Sequence, residues 1–240
     1  MTVPSLDASQ SDALPTRAGL SSAARELIQW FDDRESVAVA FSGGVDSSVV
    51  LAAALRSSAC SVVAVTARSP SVAKWQLDLS IAVADQLGAT HQIIDTDEVD
   101  LPEYSVNDSN RCFHCKRTLY GTLQRICKDS LSDAMICVSG TNLDDLGDYR
   151  PGISAGDEAG VRKPLADLGF TKSIVRQIAA ELGLPNSDLP ASPCLASRIA
   201  YGVSVTPERL RRIELAEDYL RSLGLAPLRV RLHEGELARI

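Results

Sequence analysis

A chain of 240 residues with 45% hydrophobic content can bury one sizeable core and a small second domain; its net charge is −7, from 24 basic and 31 acidic residues. That balance argues against a surface for duplex or transfer RNA, since neutralising phosphates needs a basic face. No window of about 18 uninterrupted apolar residues exists, which argues against a membrane span. Residues 1–20 are rich in Ser, Asp, Ala and Pro and lack the basic and apolar regions of a signal peptide, so they read as a flexible tail. Six cysteines without a secretion signal point to reduced thiols in the cytoplasm, doing chemistry or binding metal.

Apolar spacing predicts a helix over Leu20–Asp32, a strand at Val37–Phe41 and a helix over Ser47–Arg56. Ser61–Thr66 reads as a second buried strand. Ala73–Leu87 reads as a helix stopped at Gly88, and His91–Asp95 as a third strand. Leu119–Cys127 reads as helix and Ala134–Ser139 as a fourth strand. The alternation predicts an α/β fold, a doubly wound parallel sheet with helices on both faces. Ligands of such sheets sit beyond the carboxyl ends of the strands, where strand order reverses; Ser42 through Asp46, Thr66 and Gly140 through Asp145 fall at such ends. Thr171–Leu182 is predicted helical, with Gly183 and Pro185 as stop signals. After the Pro- and Ser-rich stretch 185–201 come a long helix over Thr206–Leu223 with a threonine cap, a strand at Leu228–Leu232 and the start of another at Glu236–Ile240. The boundary falls near residues 165–190, giving an α/β domain over 21–170 and a smaller α+β domain over 171–240. The apolar pattern is still running at Ile240, so the last strand is expected to be completed elsewhere.

The segment Ser42-Gly43-Gly44-Val45-Asp46-Ser47-Ser48 joins an apolar strand to a helix start. Glycines there let backbone N–H groups close on an anion, and the unpaired amides of the helix start favour phosphate. A Walker A loop would end in Gly-Lys-Ser/Thr, and no lysine follows these glycines. The segment instead resembles the PP-loop of ATP pyrophosphatases, which cleave ATP between its α and β phosphates to adenylate a substrate oxygen. That resemblance places Ser42, Gly43, Gly44, Asp46, Ser47 and Ser48, with Thr66, Gly140 and Thr141, around ATP, and Asp46 near Mg²⁺. The bland alternative is an ordinary strand-to-helix turn. In Gly140-Thr141-Asn142-Leu143-Asp144-Asp145 the paired carboxylates Asp144 and Asp145 suit Mg²⁺, which binds through one or two carboxylates plus phosphate oxygens; a solvated turn is the alternative. Asp148-Tyr149-Arg150 adds a cation beside them.

Cys112 and Cys115 form a Cys-x-x-Cys pair, able to close a redox disulfide or give two metal ligands. Cys194 lies in an irregular segment near Arg198, where a cation favours the thiolate. Cys60, Cys127 and Cys137 sit in strand or helix patterns and read as small core residues. Arg198, Arg229 and Arg231 carry forks that match phosphate and carboxylates, with Arg229 and Arg231 on one side of a strand. A charged edge strand is the alternative. Glu217 is a further candidate contact, and a solvated helix face explains it equally well.

Ser42–Ser48, Asn110–Lys116, Gly140–Asp145, Asp148–Gly152, Lys163-Pro164-Leu165, Gly169-Phe170-Thr171-Lys172, and Pro193-Cys194-Leu195-Ala196-Ser197-Arg198 with Tyr201-Gly202 together resemble the LarE family over roughly residues 20–240. The resemblance implies adenylation of a carboxylate of pyridinium-3,5-biscarboxylic acid mononucleotide, release of pyrophosphate, and replacement of the activated oxygen by sulfur. The product serves the nickel-pincer cofactor of lactate racemase. Cys194 matches the family cysteine, which in single-cysteine members surrenders its own sulfur and becomes dehydroalanine. Cys112 and Cys115 match members thought to hold a 4Fe-4S cluster on three thiolates, leaving one iron to carry the sulfide that is transferred. The resemblance further implies a homo-oligomer, a hexamer, and a sulfur donor that the residues do not identify. Competing readings are a PP-loop enzyme that thiolates transfer RNA, an amide-forming ligase, and an ATP-sensing or metal-binding scaffold.

Overall fold

Alternation within a single strand decides the architecture. In β1 (Ser36–Ala40) Val37 and Val39 point into one apolar cluster and Ala38 into another, all three fully buried, so both faces of the sheet must be covered by helices. The computed structural model describes residues 17–58, 61–129, 135–147, 150–225 and 227–240. Cys60, Ala134, the Asp148-Tyr149 pair and residues 1–16 of the expected tail lie outside them.

In chain order, α1 (Ser22–Asp32) precedes β1, α2 (Val45–Leu55), β2 (Ser61–Arg68), α3 (Lys74–Gln86) and β3 (Thr90–Asp95). A 3-10 turn over Glu98–Asp100, a short α4 (Pro102–Ser105) and the long α5 (Arg111–Asp129) lead to β4 (Met135–Ser139). The helices α6 (Leu143–Leu146), α7 (Pro151–Glu158), α8 (Pro164–Asp167) and α9 (Lys172–Glu181) follow. A 3-10 turn over Leu195–Arg198, α10 (Pro207–Ser222) and an antiparallel pair, β5 (Arg231–Leu232) and β6 (Ala238–Arg239), complete the chain.

The four long strands are parallel in the order β3-β2-β1-β4, as the alternating pattern predicts, with Val37 beside Val62 on one side and Ile136 on the other. The chain reverses direction of growth at β1, so the crevice beyond the carboxyl ends of β1 and β4 is where such a sheet binds ligands. One face carries α1, α2 and α9: Leu27, Ile28, Phe31, Val49, Leu51, Val175 and Ile178 share one cluster. Helix α2 is buried from Val49 through Ala54, which is why it shows no polar stripe. The other face carries α5 and α7 through Tyr120, Leu123, Cys127 and Ala155. A third cluster joins Leu195, Ile199, Leu210, Ile213 and Leu232 to Ala73, Val99 and Tyr104, so the C-terminal segment packs over the loops that follow β2 and β3. No helix among the described residues is long and apolar enough to cross a membrane.

Two elements differ from expectation. Helix α5 begins at Arg111 instead of Leu119, because its first turns carry a polar run that hides the periodicity. The predicted strand Leu228–Leu232 is paired only at Arg231–Leu232, although the alternation reaches further back: Val230 and Leu232 are buried, Arg229 and Arg231 exposed.

Candidate active site

The first group lies at the carboxyl end of β1. Gly43 takes φ 71°, and a Cβ there would stand 2.8 Å from Ser80 Cα, so only glycine fits both the turn and the approach of α3. The Ser47 hydroxyl donates to the Gly44 carbonyl at 3.0 Å and accepts from the Ser42 N–H at 3.3 Å, closing the loop upon itself. Buried Asn186 reaches in from beyond α9, its amide donating to the Gly43 carbonyl at 2.6 Å and to the Ser48 hydroxyl at 2.8 Å. Thr66 is buried below the loop and donates to the Phe41 carbonyl at 2.8 Å. Its one proton being spent there, it accepts from His91 Nε2 at 2.8 Å, and burial lowers the His91 pKa, favouring the neutral ring. Thr66 therefore braces the loop's entry from beneath.

Gly140 ends β4 against the same loop. A Cβ on it would come within 2.7 Å of Ser47 N, so β4 and the start of α2 touch through bare backbone. Asn142 caps α6 in a reciprocal box with Asp145 and donates to Asp46 Oδ1 at 3.3 Å. Asp46 Oδ2 pairs with Lys172 Nζ, and Asp144 Oδ2 accepts the Lys172 backbone N–H at 2.8 Å. Asp145 pairs with Arg150 at 2.5 Å. The carboxylates Asp46 and Asp144 thus meet at Lys172, while Asp145 faces Arg150. Thr141 shares a 3.0 Å hydroxyl contact with Ser139 beside them.

The second group holds the thiols. Cys112 is exposed and Cys115 half-buried, both in the first turns of α5, and Cys194 caps the 3-10 turn that follows it. Cys115 and Cys194 pack against the same C-terminal cluster. Two buried side chains bring these elements together. Arg111, next to Cys112, donates to the Ala196 carbonyl at 2.9 Å, and Asn107, held at φ 58°, donates to the carbonyls of Ala200 and Val203 at 2.9 and 2.8 Å. Burial pushes the Cys115 thiol up to about 12, against the pull of the Lys116 ammonium. Lys116 feels all three thiols. Burial, then the charges of Cys194 and Cys115, raise the Tyr104 hydroxyl. Among the described residues no three His, Cys, Asp or Glu side chains stand close enough to hold a single metal ion. Cys127 and Cys137 lie in the core with sulfurs 3.0 Å apart.

The third group underlies Cys194. Arg198 and Glu217 are buried, side chains 3% and 0% exposed, and pair at 3.0 Å. Arg198 Nη1 donates to the carbonyls of Pro193 and Cys194. Glu217 also accepts from Arg221 at 2.6 Å and from the Val230 N–H at 3.0 Å. Arg198 and Glu217, both expected as substrate contacts, are buried and bound to one another. Arg229 and Arg231 stand exposed on either side of Val230, and Arg229 reaches the Ala191 carbonyl at 3.3 Å. Nothing in the sequence marks Asn186 or Asn107 as site residues, and Lys172 stands there only as the end of the Gly169–Lys172 motif. Their types and positions carry no local signal; only the fold shows that they converge.

Comparison with known proteins fits this geometry. The asparagine synthase family profile matches residues 28–114, from within α1 to the first turn of α5, ending one residue short of Cys115. An uncharacterised protein of Synechocystis sp. is 44% identical, over 92% of this chain and 81% of its own length. The pyridinium-3,5-bisthiocarboxylic acid mononucleotide synthase of Lactiplantibacillus plantarum is 36% identical, over 93% of this chain and 80% of its own. An uncharacterised protein of Methanocaldococcus jannaschii is 29% identical, over 82% and 74%.

Proposed function

The chain belongs to the LarE family, that of pyridinium-3,5-bisthiocarboxylic acid mononucleotide synthases, and from that membership we propose that it inserts sulfur into pyridinium-3,5-biscarboxylic acid mononucleotide. It is an ATP-dependent sulfurtransferase with a PP-loop ATP pyrophosphatase domain. The observation that carries the proposal is that a phosphate-shaped loop at β1 and a loop-borne cysteine at Cys194 are built over one end of the same sheet.

In this reading the amides of Gly43 through Ser47 hold the β and γ phosphates, which the dipole of α2 favours. Asp46, with Asp144 nearby, would hold Mg²⁺, an ion that needs one or two carboxylates and would neutralise pyrophosphate charge, and Lys172, paired with Asp46, would add a cation beside them. A substrate carboxylate attacks the α phosphorus, pyrophosphate leaves, and the acyl-adenylate presents AMP as a good leaving group. Arg229 and Arg231, exposed on one side of Val230, meet the substrate's phosphate and carboxylates. Arg198 and Glu217 are positioning residues that hold the Cys194 loop from below.

Cys112, Cys115 and Cys194 fit a 4Fe-4S cluster in donor chemistry: Cys115 and Cys194 pack on one apolar cluster, and Cys112 stands on the same helical turn as Cys115. A cube of irons takes one thiolate per iron, so its ligands stand wider apart than those of a single ion. When bound, the cluster supplies an iron-held sulfide as the transferred atom. The second reading, transfer of the Cys194 sulfur itself, draws on the half-buried Cys115, whose thiol burial holds towards the protonated form. The exposed Leu215 and Tyr219, one turn apart on α10, and Leu223 just beyond its end are in keeping with a homo-oligomer, which the family resemblance makes a hexamer.

Intact mass after anaerobic reconstitution and turnover with ATP, Mg²⁺ and the biscarboxylate, with product counted per chain, tests the proposal. An unchanged mass with several sulfurs transferred supports the cluster. Loss of H₂S at Cys194 with at most one sulfur per chain supports the sacrificial mode. Absence of substrate-dependent pyrophosphate release overturns the function.

A further inference from the structure

Glu98, like Glu217, is a buried carboxylate, 2% exposed. A buried carboxylate costs several kcal/mol unless its charge is satisfied, and among the described residues no ion pair includes Glu98. Its Oε1 instead accepts the hydroxyls of Ser69 at 2.6 Å and Ser71 at 2.8 Å. Both serines lie just beyond the carboxyl end of β2. The Ser71 carbonyl in turn accepts the Leu195 N–H at 2.8 Å, immediately after Cys194. Gln76, a few residues on, donates to the Ser192 carbonyl at 2.8 Å, fixing the other flank of the same loop. Oε2 of Glu98 and Nε1 of Trp75 are both buried without a hydrogen-bond partner among the described residues, and Trp75 packs on the cluster that Cys115 and Cys194 share.

We propose that Glu98 is a positioning residue for sulfur transfer: through the Ser69–Ser71 turn it sets the place of the Cys194 thiol, by a contact separate from those of Arg198. The route is a continuous chain of hydrogen bonds, from carboxylate to serine hydroxyls, through the turn to the Ser71 carbonyl, and on to the Leu195 amide. It leaves the phosphate loop aside, since no bond joins Glu98 to Ser42 through Ser48 among the described residues. Glu98 therefore acts on the second half of the reaction and not on the first. The inference rests on the sulfurtransferase reading for the identity of that second half, but the loop it describes exists independently of the substrate.

Three variants of the full chain test this: Glu98→Ala, Glu98→Gln, which keeps an acceptor for both hydroxyls, and Ser71→Ala, which removes one hydroxyl and keeps the carbonyl. Pyrophosphate release with ATP and the biscarboxylate and sulfur transferred are measured in the reconstituted protein. The rate of iodoacetamide alkylation at Cys194 is followed by peptide mass in metal-free protein. Glu98→Ala is expected to lower transfer by about tenfold or more, the scale set by a misplacement of order 1 Å. The same variant should leave pyrophosphate release within about twofold and shift the Cys194 alkylation rate by about threefold or more; Glu98→Gln should restore transfer to within about threefold, and Ser71→Ala should fall between. Parallel loss of pyrophosphate release and transfer in Glu98→Ala would mark a general structural role and overturn the proposal. So would an unchanged Cys194 alkylation rate in all three variants. Absence of pyrophosphate release in the unsubstituted chain would overturn the sulfurtransferase reading instead, while the alkylation rates would still decide whether Glu98 sets the thiol.

Discussion

At Gly140 two backbones meet with no space for a methyl group. A Cβ would approach Ser47 N to 2.7 Å and the Asp46 carbonyl carbon to 2.8 Å, and neither atom is the end of a flexible side chain. Gly140→Ala must therefore push the start of α2 away from β4. We expect a stability loss of about 1–3 kcal/mol in urea titration, as overpacking brings. Substrate-dependent pyrophosphate release should fall by about tenfold or more, because Ser47 and Asp46 move with the loop. Cys115 gives a prediction of opposite kind. Its thiol is pushed up to about 12 by burial, so at pH 8.5 the thiol form dominates. In metal-free protein, iodoacetamide at pH 8.5 should label the exposed Cys112 well before Cys115, and Cys115 labelling should still be climbing above pH 10; early labelling of Cys115 would refute its burial. Both cysteines were legible as a pair in the sequence, but not their difference. Burial depends on which face of α5 meets the C-terminal cluster, and that is set by residues far along the chain.

Elements were legible where a local signal governs them. Helix α10 opens at Thr206, whose hydroxyl accepts the Arg209 N–H at 3.3 Å, and Pro207 occupies the first helical position. A threonine cap followed by proline needs no tertiary context, and the predicted and observed starts agree. Thr206→Ala should lower stability by about 1 kcal/mol in thermal or urea unfolding, with no change in the ratio of sulfur transferred to pyrophosphate released. Helix α5 shows the reverse case. Its opening turns, Arg111-Cys112-Phe113-His114-Cys115-Lys116-Arg117, lack an apolar stripe that reads at helical spacing. Their helicity is secured from outside, by the Arg111 guanidinium on Asn107 and Ala196. The strand after α10 was read too long for a related reason. Alternation marks Arg229 through Leu232 correctly, but a ladder needs a partner, and β6 pairs with Arg231 and Leu232 only.

Across the whole molecule, the parallel sheet and its ligand-binding edge followed from alternating strands and helices, while the way the C-terminal segment closes over that edge did not. Glu217 shows why. In the sequence it is one acidic residue among several on a charged helix, and a solvated face explained it as well as any other reading. In the fold it is fully buried and joins Arg198 under the Cys194 loop, Arg221 on its own helix and the amide of Val230 between the two exposed arginines. Replacing it by alanine leaves two largely buried guanidinium groups without a counter-charge, which costs about 3–5 kcal/mol when one partner of a buried pair is removed. Because the pair is shielded from ions, this loss should change little between low and high salt, unlike that of an exposed bridge such as Arg68–Asp95. Glu217→Ala is thus expected to lower the unfolding midpoint strongly, and to depress sulfur transfer more than pyrophosphate release. Denaturation curves at two ionic strengths, read beside both activities, decide the matter. A stable variant with only a raised substrate KM would return Glu217 to the substrate and remove it from the frame that carries Cys194.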